Sequence, residues 1–420
     1  MKRLECLDGL RGLLAVYVML SHMAPFAVLP VWIAHPLSHG GAGVDVFFIL
    51  SGLVIVGSLD KYHHQTRPFL IARAARIFPV FLVVFAFALA VQPLPRGFES
   101  MTWLPPDSLA RGLWAEGWPR HWPVDVLAHL TMTHGLFPNF IMPHVWVSLL
   151  GAAWSLSTEW QFYVLALWLG RRWGTRPDGL RKMAWSLIGL AVVSWLWHAL
   201  TPEDWGFSRA FLGNKGHYFA LGVVSALVVR DRVTALGAYL PVLVATLALC
   251  WLHGGAVKLL PPLMWTLCLA VQLWPNLFGL AAPARVLRSA PMQWLGALSY
   301  CIYLTNEPIQ KLFGIALVWL VQGDAMLFTA IWLPGAFLLP LLASACLHRW
   351  VERPALLWGR TWAHRETVNV ISTGRNDDPC TASLVTGGFD PDVKVRGHHG
   401  SITPDAASTT WNVLRRTDRA

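Results

Sequence analysis

Repeated runs of about twenty apolar residues constrain this chain more than any other feature. A helix needs about twenty such residues to cross a hydrocarbon core of about 30 Å. The runs recur along most of the chain and predict ten spans, near 10–30, 42–59, 74–92, 147–170, 183–200, 210–229, 236–252, 256–275, 295–318 and 326–349. In lipid, each segment must satisfy its own backbone N–H and C=O groups, so runs of this length fold as helices. The alternation of transmembrane barrel strands is absent. The expected fold class is therefore all-α, a polytopic membrane helical bundle. Composition agrees, because only 13% of the residues are charged and the mean hydropathy is +0.48. A soluble domain is nearer a quarter charged. The 24 Trp residues suit interfacial aromatic belts.

A net charge of +10 could suggest nucleic acid, but its placement argues for a membrane. Lys2 and Arg3 precede the first span. Lys61, Arg67, Arg73 and Arg76 lie between or at the edges of the second and third. Arg171, Arg172, Arg176, Arg181 and Lys182 follow the fourth, and Arg230 and Arg232 follow the sixth. Arg285 and Arg288 follow the eighth, and Arg349, Arg353, Arg360 and Arg365 the tenth. The alternate loops are poor in Lys and Arg; one carries only Lys258 and another carries Asp324. Basic loops stay in the cytoplasm, so both termini are expected there and no nucleic-acid partner is needed. The cysteines show no paired spacing for disulfides, and neither they nor the histidines show a trusted metal spacing, so no metal is expected. The first apolar run is long and lacks a clear cleavage site, so it reads as a span and not as a signal peptide. The loop 93–146 is outside in this arrangement and rich in Pro, Trp and His. Its aromatics could hold sugar rings or lie on lipid headgroups. The expected domains are a membrane domain, 1–361, and a polar tail, 362–420, that reads as disordered cytoplasmic sequence.

Ionisable residues inside spans are costly and by default mark function. Arg11 and His22 stand on the first span, eleven positions apart (22 − 11), roughly 16 Å of helix. Asp45 opens the second. Arg73 and Arg76 lie three apart at the inner end of the third and share a face. Two planar guanidinium groups suit a phosphate-rich ligand, or else anchoring to anionic lipid. Ser155 and Glu159 share a face of the fourth span. Glu159 either locks helices together or serves chemistry. On the ninth span, Tyr300, Asn306 and Glu307 are polar, and Lys311 follows Glu307 at helical spacing, a pair that could neutralise itself.

These segments together resemble the integral-membrane acyltransferase 3 family. An Arg, ten residues and a His stand on the first span as Arg11 and His22, followed by GVDVFFILSGL over 43–53. The Arg-x-x-Arg motif stands as Arg73 and Arg76, with Ile77 and Pro79 after it. WSLSTEWQFY matches a W-S-L-x-x-E-x-x-F-Y pattern through Glu159. SYCIYLTN follows S-Y-x-I-Y-L-x-H, with Asn306 at the family's His, so a proton-transfer role at that position is in doubt. Glu352 and Pro354 match a closing acid-x-Pro, read as a helix end. The likeness covers most of residues 4–354.

The resemblance implies a bacterial inner-membrane acyltransferase that takes an acyl group from a cytoplasmic donor, commonly acyl-CoA, as co-substrate. No bound cofactor is implied. The acceptor is a hydroxyl of an envelope or exported carbohydrate, or of a small hydroxylated molecule. The expected catalytic residues are His22 as base, Asp45 as its orienter and Glu159 on the acceptor side. Arg11, Arg73 and Arg76 are expected to bind the donor, with Ser155, Tyr300, Asn306 and Glu307 as acceptor contacts or support. Depth allows the His22–Asp45 pairing, at about 10 Å and roughly 5 Å below the outer surface. A transporter or flippase is the alternative. It also needs mid-membrane ionisable groups, but usually shows internal repeats, and none is found.

Overall fold

A computed structural model of the chain describes residues 3–114, 117–174, 176–277 and 279–373. Its helices, in order, are α1 (Glu5–Met23), α2 (Val31–Leu37), α3 (Gly41–Lys61), α4 (Thr66–Val91), α5 (Leu109–Leu113), α6 (Trp122–Leu130), α7 (Trp154–Trp173), α8 (Gly179–Leu200), α9 (Gly216–Asp231), α10 (Leu236–Gly254), α11 (Leu260–Leu273), α12 (Ala281–Leu287), α13 (Ala290–Val321), α14 (Ala325–Leu347) and α15 (Arg353–Thr373). Among the described residues the only strand-like pairing is an isolated bridge between Pro138 and Phe207. Among the described residues seven helical stretches are long and apolar enough to cross a membrane. The all-α, multi-pass class stands.

Each of the ten sequence-derived spans coincides with a helix, namely α1, α3, α4, α7 to α11, α13 and α14. Several start late for local reasons. α7 begins at Trp154 instead of near 147, because a 3-10 turn at Gly151–Ala153 precedes it. The Glu307 carboxylate accepts from the N–H groups of Gly151 and Ala152, at 3.2 and 3.0 Å, and holds that turn. α11 begins at Leu260, with Pro261 and Pro262 in its first turn, where a missing N–H is tolerated.

Two contacts fix the central helices. A side-chain carbon on Gly296 of α13 would meet the Asp8 carbonyl of α1 at 2.2 Å. One on Gly222 of α9 would meet the Ile49 carbonyl of α3 at 1.9 Å. Small residues let helix backbones approach closely in a membrane, where hydrophobic drive between helices is lost. α1 is thereby pressed against α13, and α3 against α9.

The segment 93–146 folds onto the bundle. Trp114 is buried and stacks on Phe26 at 3.7 Å, and it also meets Trp332 of α14 at 5.6 Å. Trp103 Nε1 donates to the Phe26 carbonyl at 3.1 Å. His129 and His134 are fully buried and stack at 4.1 Å, with Phe85 against His129. Trp114 is core and not a shelf for sugar, while Trp118 and Trp122 stay exposed as a pair 5.2 Å apart.

The helix end expected at Glu352–Pro354 does not occur. A π turn, His348–Glu352, carries α14 directly into α15. Pro354 falls in the first turn of α15, and the wider turn before it accommodates its ring. Helix therefore continues past residue 361 to Thr373. The rest of the expected tail, 374–420, lies outside the described residues.

Candidate active site

Helices α1, α3, α4, α7, α13 and α15 enclose a cavity of about 460 Å³. Its wall on α3 runs from Tyr62 to Val44. Those 18 steps (62 − 44) span roughly 27 Å of helix, close to the depth of a hydrocarbon core.

The end near Tyr62 is cationic. Arg11, Arg73 and Arg76 all line the cavity, as do Lys61 and Arg360. Arg76 is ion-paired with Glu352, which is buried and also bonds His348 Nδ1 at 2.7 Å and the Cys301 thiol at 3.3 Å. The Arg76 guanidinium lies over the Tyr300 ring at 5.2 Å, and Tyr300 Oη donates to the Ile77 carbonyl at 2.6 Å. Arg73 lies over the Tyr163 ring at 5.7 Å, and its Nε is buried without a hydrogen-bond partner among the described residues. Arg11 and Arg73 have no carboxylate within ion-pair distance among the described residues. Among the described residues Glu159 is the single carboxylate of the lining, and it accepts from Ser51 Oγ at 2.7 Å and from Tyr163 Oη. Cations in excess of carboxylates, in a low-dielectric cleft, attract an anion. Paired guanidinium forks fit phosphate oxygens.

Near the other end, Ser155 and Tyr303 line the cavity. Asn306 lies about one turn further along α13 and bonds His22. Asn306 Nδ2 donates to the carbonyls of Ile302 and Tyr303, at 2.9 and 2.7 Å. Its Oδ1 therefore faces His22 Nδ1, 2.6 Å away, and can only accept. This assigns the proton to Nδ1 and leaves the lone pair on Nε2, which makes no hydrogen bond among the described residues. A neutral imidazole so arranged can take a proton from a hydroxyl.

Three sequence expectations are corrected. Asp45 does not orient His22. It is buried and accepts from Lys215 Nζ at 2.6 Å and Lys258 Nζ at 3.5 Å. α3 turns it toward Lys215 at the start of α9 and Lys258 in the 3-10 turn Ala256–Leu259. Asn306, the departure from the family's His, takes the orienting position instead. Glu159 does not sit apart on an acceptor side; Tyr163 joins it to the layer of Arg73. Glu307 and Lys311 do not neutralise each other, because Glu307 holds the turn before α7 and Lys311 donates to Gln92 Oε1 at 3.1 Å.

Sequence reasoning missed Ser51, Tyr163 and Lys215 as partners. Lys215 had a signal, being a cation inside the expected span 210–229. It lies within 6.0 Å of the rings of Phe48, Trp154 and Tyr218.

The family model described as an acyltransferase domain, acyltransferase 3, matches residues 4–351. The chain is 29% identical over 400 residues to the acyltransferase MdmB of Streptomyces mycarofaciens, covering 85% of this chain and 93% of that one. It is 26% identical over 337 residues to the peptidoglycan O-acetyltransferase OatA of Listeria monocytogenes, covering 73% and 49%. It is 24% identical over 383 residues to the O-acetyltransferase OatA of Staphylococcus aureus, covering 83% and 56%. The chain thus spans most of MdmB and about half the length of the OatA proteins. No solved structure matches the chain.

Proposed function

The chain belongs to the acyltransferase 3 family, and from that premise we propose that it moves an acetyl-type acyl group from a cytoplasmic acyl-CoA-type donor to a hydroxyl of an envelope or exported carbohydrate. That it is a multi-pass membrane enzyme that transfers acyl groups follows from the family and the helices. The names of the OatA relatives support acetyl and a glycan acceptor. The bacterial cytoplasmic membrane is the site, and the donor acts as co-substrate with no resident cofactor.

One observation carries this reading. A single cavity joins a cationic end, lined by Arg11, Arg73 and Arg76, to a polar end at Ser155 and Tyr303; about one helical turn beyond Tyr303, outside the lining, Asn306 bonds His22. Donor phosphates rest on the guanidinium groups, and the thioester arm reaches along α3. The acceptor hydroxyl oxygen attacks the thioester carbonyl while His22 Nε2 takes its proton. The C–O bond forms and the C–S bond breaks. The imidazolium then returns the proton to the leaving thiolate, so the products are an ester and a free thiol. Asn306 holds the imidazole in the tautomer this requires.

The test supplies labelled acetyl-CoA and an oligosaccharide acceptor to purified protein in nanodiscs. Label should enter an ester, and His22→Gln should abolish transfer while leaving CoA binding unchanged. If no label leaves CoA, the donor assignment is wrong. Transfer by His22→Gln within a fewfold of the unaltered protein would exclude His22 as the base.

A further inference from the structure

The cavity's mouth is built partly by α15, which lies beyond residues 4–351, the extent of the family match. Glu352, Leu356 and Arg360 recur every four residues and so share one face. Glu352 pairs with Arg76, and Leu356 and Arg360 line the cavity. Between the last two, Gly359 lets α15 lie against α4, since a side-chain carbon there would meet Ala75 Cβ at 2.3 Å. Ala363 is fully buried, so the docking continues inward. α15 is therefore fixed in place, and Arg360 is held at the mouth by the helix's geometry.

Lys61, at the end of α3, lines the same cavity. Neither Lys61 nor Arg360 has a carboxylate partner among the described residues, and both are exposed. Arg11 and Arg73 lie with Arg76 among the lining residues of the same cavity. The cations thus form two sets, one on α1 and α4 and one at the mouth. A ligand carrying a single phosphate group would satisfy one set and leave the other unused.

Resting on the donor reading above, we infer that Arg360 and Lys61 form a second phosphate subsite, which holds the phosphate on the nucleotide end of the donor outside the main cavity. The subsite discriminates a donor with a 3′-phosphorylated nucleotide from one that ends at the pantetheine phosphate. α15 is then a wall of the donor site as well as a continuation of α14. The same phosphate chemistry could be met by anionic lipid headgroups, and the experiment separates the two sources.

The protein is purified in neutral detergent, and its affinity is measured for CoA, for 3′-dephospho-CoA and for phosphopantetheine. The unaltered protein should prefer CoA over dephospho-CoA. Arg360→Gln, and Lys61→Gln independently, should weaken CoA binding about tenfold, the effect of losing one charge-assisted contact. Both should erase the preference over dephospho-CoA and leave phosphopantetheine binding unchanged. Both side chains are exposed, so the variants should keep the melting temperature of the unaltered protein. If Arg360→Gln keeps the full CoA preference, the subsite is wrong and the donor reading stands. If Arg360→Gln instead loses only affinity for phosphatidylglycerol nanodiscs, the residue serves lipid and the subsite is equally overturned. If the unaltered protein binds none of the three ligands, the donor reading itself fails.

Discussion

An amide fixes an imidazole through geometry alone, whereas a carboxylate adds a full charge. Asn306 can fix His22 because its own amide hydrogens are committed to the Ile302 and Tyr303 carbonyls. Its oxygen then meets Nδ1 at 2.6 Å. When His22 becomes charged during transfer, that contact is a hydrogen bond to a charged group, about 1.5–3 kcal/mol. Asn306→Ala should therefore lower kcat roughly ten- to hundredfold with KM for the donor little changed. Combined with His22→Gln, it should cost almost nothing more, because the two act as a unit. Additive losses in steady-state kinetics would make Asn306 a packing residue only. The arginines divide differently. Arg76→Ala strands Glu352, a buried carboxylate, and breaking such a pair costs about 3–5 kcal/mol. Arg73 has no such partner. Arg73→Ala should weaken CoA binding with the melting temperature unchanged, and Arg76→Ala should lower both. Adding Glu352→Gln to Arg76→Ala should recover stability without recovering affinity. Calorimetry and thermal melts read the two effects separately, and an Arg73→Ala protein with full CoA affinity would return that residue to lipid anchoring.

At the scale of elements, apolar run length made ten of the long helices legible but not the 21-residue α15, whose polar second half read as tail, and helix ends were less legible still. Residues 147–153 are apolar but for Ser148, yet they form loop and 3-10 turn because the carboxylate that holds them comes from Glu307, over 150 residues away. The short α2, α5, α6 and α12 carry no long periodic pattern and were not legible. The loop that bears α5 and α6 owes its order to buried rings, and that order is sensitive to acid. Burial pushes His134 down to about 4 and holds His129 well below its ordinary range, with the neighbouring ring's charge adding to it. In the unfolded loop both would titrate near 6.5. Below that pH the unfolded segment binds protons that the folded one refuses, so this contribution to stability is complete above about 6.5. It is lost as pH falls toward about 4 for His134. Hydrogen-exchange protection over 122–134, corrected for the intrinsic pH dependence of exchange, should fall between pH 7 and pH 5 ahead of protection in α13. An equal fall in both segments would show that the histidine pair does not govern the loop.

For the molecule as a whole, depth was legible and direction around each helix was not. Position along a span gives height in the bilayer, which placed His22 and Asp45 in one layer. A helix that is apolar all round carries no stripe to show which face meets which neighbour. Asp45 thus met Lys215, 170 residues on, and His22 met Asn306, 284 residues on. The cavity adds a direction that no single helix has. Its cationic end lies at the joined ends of α3 and α4, beside Lys61 and Thr66, and α15 extends that end. The continuous helical path from Ala325 to Thr373 has 49 residues (373 − 325 + 1), roughly 73 Å of rise, against a core of about 30 Å. Much of it must therefore stand outside the bilayer on the side of α15, which carries Arg353, Arg360 and Arg365. The loop-charge rule predicts that this side faces the cytoplasm, as the proposed acyl-CoA donor requires. The prediction is a matched pair of labels. With the exposed Cys346 and Cys380 of the tail first changed to Ser, Arg176→Cys should react with an impermeant maleimide only from the cytoplasmic face, and Trp118→Cys only from the outer face. If the two labels exchange sides, the cationic end faces away from the donor pool, and the topology and the donor assignment fail together.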